Sequence, residues 1–137
     1  MRSMLATVFT VATVLLAGCG GDSGTPPMEA TLAGTWNLAT VNGTPLPFVL
    51  QQANPKIEIL SDKLVLSASG TFSESIMARS TSAGTITMQP MEDGGTYEAR
   101  GTSASFTFND GSQGNGTVDG NSLSVTGVGY ALVYVKQ

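Results

Sequence analysis

From Leu32 to the end of the chain one pattern repeats: short runs of Val, Ile, Leu, Phe, Tyr and Thr, each closed by Gly, Asn or Asp. Inside the runs apolar and polar residues alternate. Phe106 and Phe108 share a face, with Ser105, Thr107 and Asn109 on the other; Tyr97 and Ala99 oppose Thr96, Glu98 and Arg100; Leu123 and Val125 pair in the same way. A period of two belongs to strands, and Gly/Asn/Asp punctuation belongs to the turns between them. The pattern predicts strands at 34–41, 57–60, 63–67, 70–80, 85–89, 95–101, 103–108, 116–118, 122–126 and 129–135. Ser61-Asp62 and Glu92-Asp93 read as breaks, and Asn109-Asp110-Gly111 and Asp119-Gly120-Asn121 as tight turns, since these residues tolerate positive φ. No stretch holds a helical period for long; the nearest is a single turn at 47–53, within a connection at 42–56 that either crosses between strands or covers a barrel mouth. The final run is apolar on both faces, Tyr130, Leu132 and Tyr134 against Ala131, Val133 and Val135, and is expected to be covered on both. The fold class is therefore all-β: a small antiparallel meander β-barrel of about eight to ten short strands, with a β-sandwich as the alternative. Closure is favoured because it leaves no free edge.

The first residues follow a different pattern. Arg2 is followed by an uncharged run from Ser3 to Gly21, apolar between Leu5 and Ala17. That run is too short for a bilayer, which needs about 20 apolar residues, and has the form of a secretory signal peptide. Leu16-Ala17-Gly18-Cys19 closes it and resembles the bacterial lipobox, with Cys19 the only cysteine of the chain. The resemblance implies acylation of the Cys19 thiol by palmitate-type chains and cleavage between Gly18 and Cys19. More than one acyl chain is needed for stable anchoring. Gly20, in place of the Asp that resembles an inner-membrane retention signal, points by analogy to the outer membrane. Three segments result: a lipoprotein signal peptide at 1–18, a lipidated cysteine and flexible tether at 19–31, rich in Gly and stiffened by Pro26-Pro27, and the β domain at 32–137.

Charge and composition narrow the chemistry. Ten acidic residues against six basic ones give a net charge of −4, one unit more negative once Arg2 leaves with the signal peptide. This disfavours nucleic acid as a partner. Histidine is absent and Cys19 is committed to acylation, which removes the usual hydrolase triads, thiolate chemistry and most zinc sites. No catalytic or metal constellation is visible and no cofactor is expected. Glu92-Asp93 and Asn109-Asp110 lack the spaced oxygen ligands of a calcium loop, and Met77, Met88 and Met91 are expected to pack.

The run from Leu32 to Leu38 with its Gly34-Thr35-Trp36, and then Val41 to Pro47, resembles the opening of bacterial lipocalin-like lipoproteins; Gly34-x-Trp36 is the part shared with lipocalins at large. Leu64-x-Leu66 before Gly70-Thr71-Phe72, Gly95-Thr96-Tyr97, and Val133-Tyr134-Val135-Lys136 extend the likeness over 32–137. The resemblance implies a barrel floor closed by Trp36, with Lys136 across its ring. It also implies non-catalytic binding of a small apolar or amphipathic molecule. Phe72, Tyr97, Phe106, Phe108 and Tyr130 either line such a cavity or form core. Glu74 shares strand phase with Phe72 and Ile76: pointing inward it would anchor a ligand amine or pair with Arg79 or Arg100, whereas a bulge near Gly70 or a strand-end position would expose it. The rival expectations are a structural or protein-interaction module of the cell envelope with a filled barrel, and, third, catalysis by carboxylates alone.

The anchor is directly testable. Growth of the producing bacterium on labelled palmitate is expected to label this chain, and Cys19→Ser to abolish the label; a labelled Cys19→Ser chain removes the lipobox assignment.

Overall fold

The computed structural model describes residues 32–137; the signal peptide, Gly18, Cys19 and the tether lie outside the described residues. Ten strands follow in chain order: β1 (Gly34–Val41), β2 (Thr44–Pro45), β3 (Phe48–Gln51), β4 (Lys56–Leu66), β5 (Thr71–Ser82), β6 (Thr85–Arg100), β7 (Ser103–Phe108), β8 (Gln113–Asp119), β9 (Ser122–Thr126) and β10 (Leu132–Lys136). From β4 to β10 each strand pairs antiparallel with the next. β1 then pairs with β10 on one side, Trp36 opposite Lys136, and with β4 on the other, Trp36 opposite Leu64. The result is a closed eight-stranded meander barrel, with β2 and β3 as additional strands at its end.

Local chemistry explains the connections. β1 turns into β2 through Asn42-Gly43, at φ of 51° and 77°, the left-handed pair that a two-residue hairpin requires. Pro45 falls in β2, at the margin of the sheet, where its missing N–H costs no ladder bond. Residues 47–53 form no helical turn. Phe48 to Gln51 instead hydrogen-bonds along β4, with Phe48 opposite Ile59 and Val49 opposite Glu58, so the backbone groups of the connection are satisfied as a strand.

Two expected breaks are absent. Residues 57–60 and 63–67 belong to one strand, interrupted by a bulge between Ile59 and Ser61 rather than by a turn. Residues 85–89 and 95–101 likewise join as β6, with Glu92-Asp93 inside it. β7 covers β6 only from Gly95 onward, so Pro90 sits on an edge that has no ladder to lose. The β5–β6 hairpin thus reaches past the barrel, and Ile86 and Met88 on it are exposed rather than packed. The outer face of β10 is not covered either: Val135 is 44% exposed, as expected for the outside of a closed barrel.

The inner face fills one end of the barrel. Trp36, Leu66, Leu123, Phe106 and Tyr134 are almost fully buried. Trp36 donates its indole N–H to the Leu32 carbonyl at 2.9 Å, and the Lys136 ammonium stands 5.3 Å from its ring centroid. Gly34 makes room for that lysine, since a Cβ there would lie 3.0 Å from Lys136 Cε. Next to this floor Phe72 meets Phe106 and Phe108 edge-on at 5.5 and 5.2 Å, and Tyr97 stacks on Phe106 at 6.0 Å. The Tyr97 hydroxyl donates to the Ser67 carbonyl at 2.6 Å.

Gly116 is the small residue that admits this aromatic packing, for a Cβ there would come within 2.8 Å of Phe106 Cε2. Overpacking of this kind costs about 1–3 kcal/mol. Gly116→Ala is expected to lower the thermal midpoint by several degrees, about 4–8 °C per kcal/mol for a domain of this size. An unchanged midpoint would contradict the packing described.

Candidate ligand pocket and its buried carboxyl pair

The end of the barrel remote from Trp36 is open, as a pocket of about 200 Å³. Leu38 and Val41 on β1, Ile59 on β4, Ile76 on β5 and Leu132 on β10 form its walls. Phe48 and Leu50 on β3, Met91 on β6 and Tyr130 form its rim. Tyr130 is 39% exposed and packs edge-on against Phe48 at 6.0 Å. Its position is set by the hairpin across the mouth: Asn42 donates its N–H to the Ala131 carbonyl at 2.7 Å, and Ala131 donates its N–H to Asn42 Oδ1 at 2.8 Å. A neighbouring cleft of about 480 Å³, bordered by Lys63, Glu92 and Leu46, shares Leu38, Asp62 and Ile76 with the pocket.

Among the described residues, Asp62 and Glu74 are the only Asp, Glu, Lys or Arg side chains lining the pocket. Both are buried, at 6% and 8% exposure. Strand phase puts them there. On β5, Phe72, Glu74 and Ile76 alternate inward, so Glu74 faces the interior and neither a bulge near Gly70 nor strand-end exposure applies. On β4 the bulge resets the phase between Ile59 and Ser61, which lets Ile59 and Asp62 both face the interior ahead of Leu64 and Leu66.

Tyr134 on β10 joins the pair, its hydroxyl 2.8 Å from Asp62 Oδ2 and 3.0 Å from Glu74 Oε1. A phenol has one proton to donate, and two ionised carboxylates only accept. The second contact therefore needs a carboxyl proton. Asp62 supplies it: burial, the neighbouring Glu74 charge and the hydrogen bond to Glu74 push its carboxyl up to about 8. Burial and the same two carboxyls raise the Tyr134 phenol, which stays neutral. Asp62 Oδ1 is buried without a hydrogen-bond partner.

Among the described residues no arginine neutralises the pair. Arg79 binds Glu58 through Nη2 at 2.8 Å and Nε at 2.9 Å, and Lys56 meets the other Glu58 oxygen at 2.9 Å. These hydrogen bonds, from Lys56 first and then Arg79, hold the Glu58 carboxyl below its ordinary value. Arg100 lies 3.5 Å from Glu98 on the outside of the barrel. Among the described residues no three His, Cys, Asp or Glu side chains converge on a metal position. Glu92 accepts from the Ser75 hydroxyl at 2.6 Å, and Asp110 caps the N–H of Ser112 at 2.8 Å.

The structure thus divides the candidate cavity residues singled out by pattern. Glu74 and Tyr130 line the pocket, whereas Phe72, Tyr97, Phe106 and Phe108 pack together on the floor side of Glu74. The void left among Leu64, Phe72, Glu74, Phe106 and Tyr134 is only about 10 Å³. Sequence reasoning passed over Asp62 and gave Tyr134 no role. Both carried a signal: Asp62 is in phase with Leu64 and Leu66, and Tyr134 with Leu132.

The carboxyl pair sets a pH dependence. Between about pH 4 and 8 the folded protein keeps on Asp62 a proton that the unfolded chain, titrating near 3.9, has released. The native state binds more protons over that window, so the contribution of Asp62 to stability is present below it and is lost as pH rises through it. Asp62→Asn cannot ionise. At about pH 9 its thermal midpoint is expected to exceed that of the wild type, with the gap closing towards pH 4; parallel pH profiles for the two proteins would show that Asp62 is not buried as described. Comparison with protein-family models, with curated proteins and with solved structures finds no match for this chain.

Proposed function

We propose that the protein is a lipid-anchored envelope lipoprotein whose lipocalin-like barrel binds, without catalysis, a small apolar or amphipathic molecule. The observation that carries this reading is the apolar pocket of about 200 Å³ at the open end of an otherwise filled barrel. An eight-stranded barrel is just wide enough to be filled by its own side chains or to hold one small ligand; here one end is filled and the other is not. The likeness to lipocalins is supported by Trp36 with Lys136 across its ring and Gly34 beneath the lysine. The pocket is smaller than the roughly 300–1,000 Å³ of drug-sized sites, which favours a compact ligand. A non-catalytic role fits the carboxyl pair, whose members are buried and share the one Tyr134 hydroxyl, at 2.8 and 3.0 Å. Cys19 holds the domain on the membrane, by analogy the outer one, with residues 20–31 as the spacer.

One observation favours the alternative of an envelope interaction module. Ile86 and Met88 stand exposed at 62% and 49% on the projecting β5–β6 hairpin, where a protein partner would cover them.

The binding reading is tested on protein purified from its own envelope, by mass spectrometry of an organic extract. One small compound at near-equimolar ratio is expected. It should be missing from Ile76→Trp, whose indole occupies the pocket while circular dichroism remains that of a β-barrel. Identical extracts from the two proteins would remove the reading.

A further inference from the structure

Resting on the pocket as a ligand site, the geometry points to a narrower ligand class: we infer that the pocket takes a compact cationic amphiphile, an alkyl ammonium whose head group sits on Asp62 and Glu74 and whose hydrocarbon lies against Leu38, Val41, Ile76 and Leu132.

Three observations converge on that head group. Among the described residues Asp62 and Glu74 are the only carboxyl groups of the pocket, no Lys or Arg lines it, and both carboxyls are more than nine-tenths buried. Asp62 Oδ1 is buried beside the pocket with no hydrogen-bond partner. The basic residues near by strand register do not enter the pocket: Lys56 and Arg79 hold Glu58, and Lys63 is exposed on the opposite face of β4 from Asp62 and Leu64. The cluster is therefore rich in acceptors and poor in donors. Its internal donors are the Tyr134 hydroxyl and the one carboxyl proton. An ammonium brings three N–H donors and a positive charge, which are the two things the cluster lacks. Hydrogen bonds between ionised partners in a water-poor site are shorter and stronger than neutral ones.

The remaining surface selects against other cations. A hard divalent ion takes six or more oxygen ligands, and beyond the two carboxyls the pocket is lined by hydrocarbon, the Met91 side chain and the Tyr130 ring at the rim. A guanidinium prefers a flat fork on one carboxylate, whereas here two carboxyl oxygens lie on either side of one hydroxyl. Size adds a limit. A volume of about 200 Å³ equals about six or seven water molecules at about 30 Å³ each, room for an amino group and a short chain.

The test uses the full acylated chain in phosphatidylcholine nanodiscs, with empty discs as the blank. Hexylammonium, hexan-1-ol and hexanoate share a chain and differ only in the head group. By calorimetric titration at neutral pH, hexylammonium is expected to bind about tenfold or more tightly than hexan-1-ol, the ratio expected of hydrogen bonds to a charged group, and hexanoate is expected not to bind. In Asp62→Asn/Glu74→Gln, folded by circular dichroism, the preference for the amine over the alcohol should fall to about one. Should that double variant fail to fold, Glu74→Gln alone provides the comparison. Hexan-1-ol binding as well as or better than the amine, or an amine preference untouched by the substitutions, overturns this inference and leaves the pocket as an apolar ligand site. If none of the three compounds binds, the inference falls together with the ligand-site reading beneath it.

Discussion

The ladder between β1 and β4 is the constraint on which the rest of the molecule depends. Without it the sheet would run open from β2 to β3 with two free margins, and no residue would be inside in more than a half-covered sense. With it, Trp36 has a strand on each side, and every alternate residue of the eight barrel strands is directed into one enclosed space. Closure also spares the protein the exposed hydrogen-bonding edges through which sheets aggregate. The interior that results is narrow, and its two ends are used differently. Trp36 and the packed aromatics fill one end, while the other keeps a hydrocarbon-lined pocket.

Asp62, Glu74 and Tyr134 form the layer between those ends, and they are there at a cost. An unpaired ionised carboxylate in an apolar interior is strongly disfavoured, and proteins avoid the cost by protonation or pairing. This barrel does part of each: Asp62 retains a proton into the neutral range, and Tyr134 donates into the pair. Yet Asp62 Oδ1 stays without a partner. A purely structural barrel would gain by filling these positions with leucine, since replacing buried ionic groups by well-packed apolar ones is often neutral or stabilising. Polarity kept in the middle of an apolar lining, against its folding cost, is the physical basis of the proposal that it serves recognition.

The strands outside the barrel serve the same end of the molecule. β3 extends β4 at the mouth and contributes Phe48 and Leu50 to the rim, while the β1–β2 turn clamps Ala131 and so fixes Tyr130. The bulge in β4 is part of this arrangement. It shifts the strand phase by one, and so places Ile59 on the wall and Asp62 beneath it from positions that an unbroken strand would face oppositely. Bulges that re-aim a side chain are characteristic of functional sites in sheets.

Much of this was legible in the chain itself. A period of two with Gly, Asn and Asp punctuation sufficed for an all-β meander, because side-chain alternation and turn chemistry are local properties. The limits of β1, β7 and β9 follow from them directly, as does the strand phase shared by Phe72, Glu74 and Ile76, whereas that Glu74 faces inward was decided by the structure. What failed were the places where local chemistry and pairing disagree. Ser61-Asp62 and Glu92-Asp93 have turn composition but lie within long strands, because neighbouring strands supply ladder partners along their whole length. Within residues 47–53, a short proline-flanked segment, Phe48 to Gln51 became a strand because β4 offered an edge. Whether the aromatics would line a cavity or fill it depended on barrel width and on Gly116 admitting Phe106. The bridged carboxyl pair was not legible as a unit. Asp62 and Glu74 are neighbours across β4 and β5, but Tyr134 lies 72 and 60 residues further along the chain, and only the closure of the sheet brings its hydroxyl within hydrogen-bond distance of both.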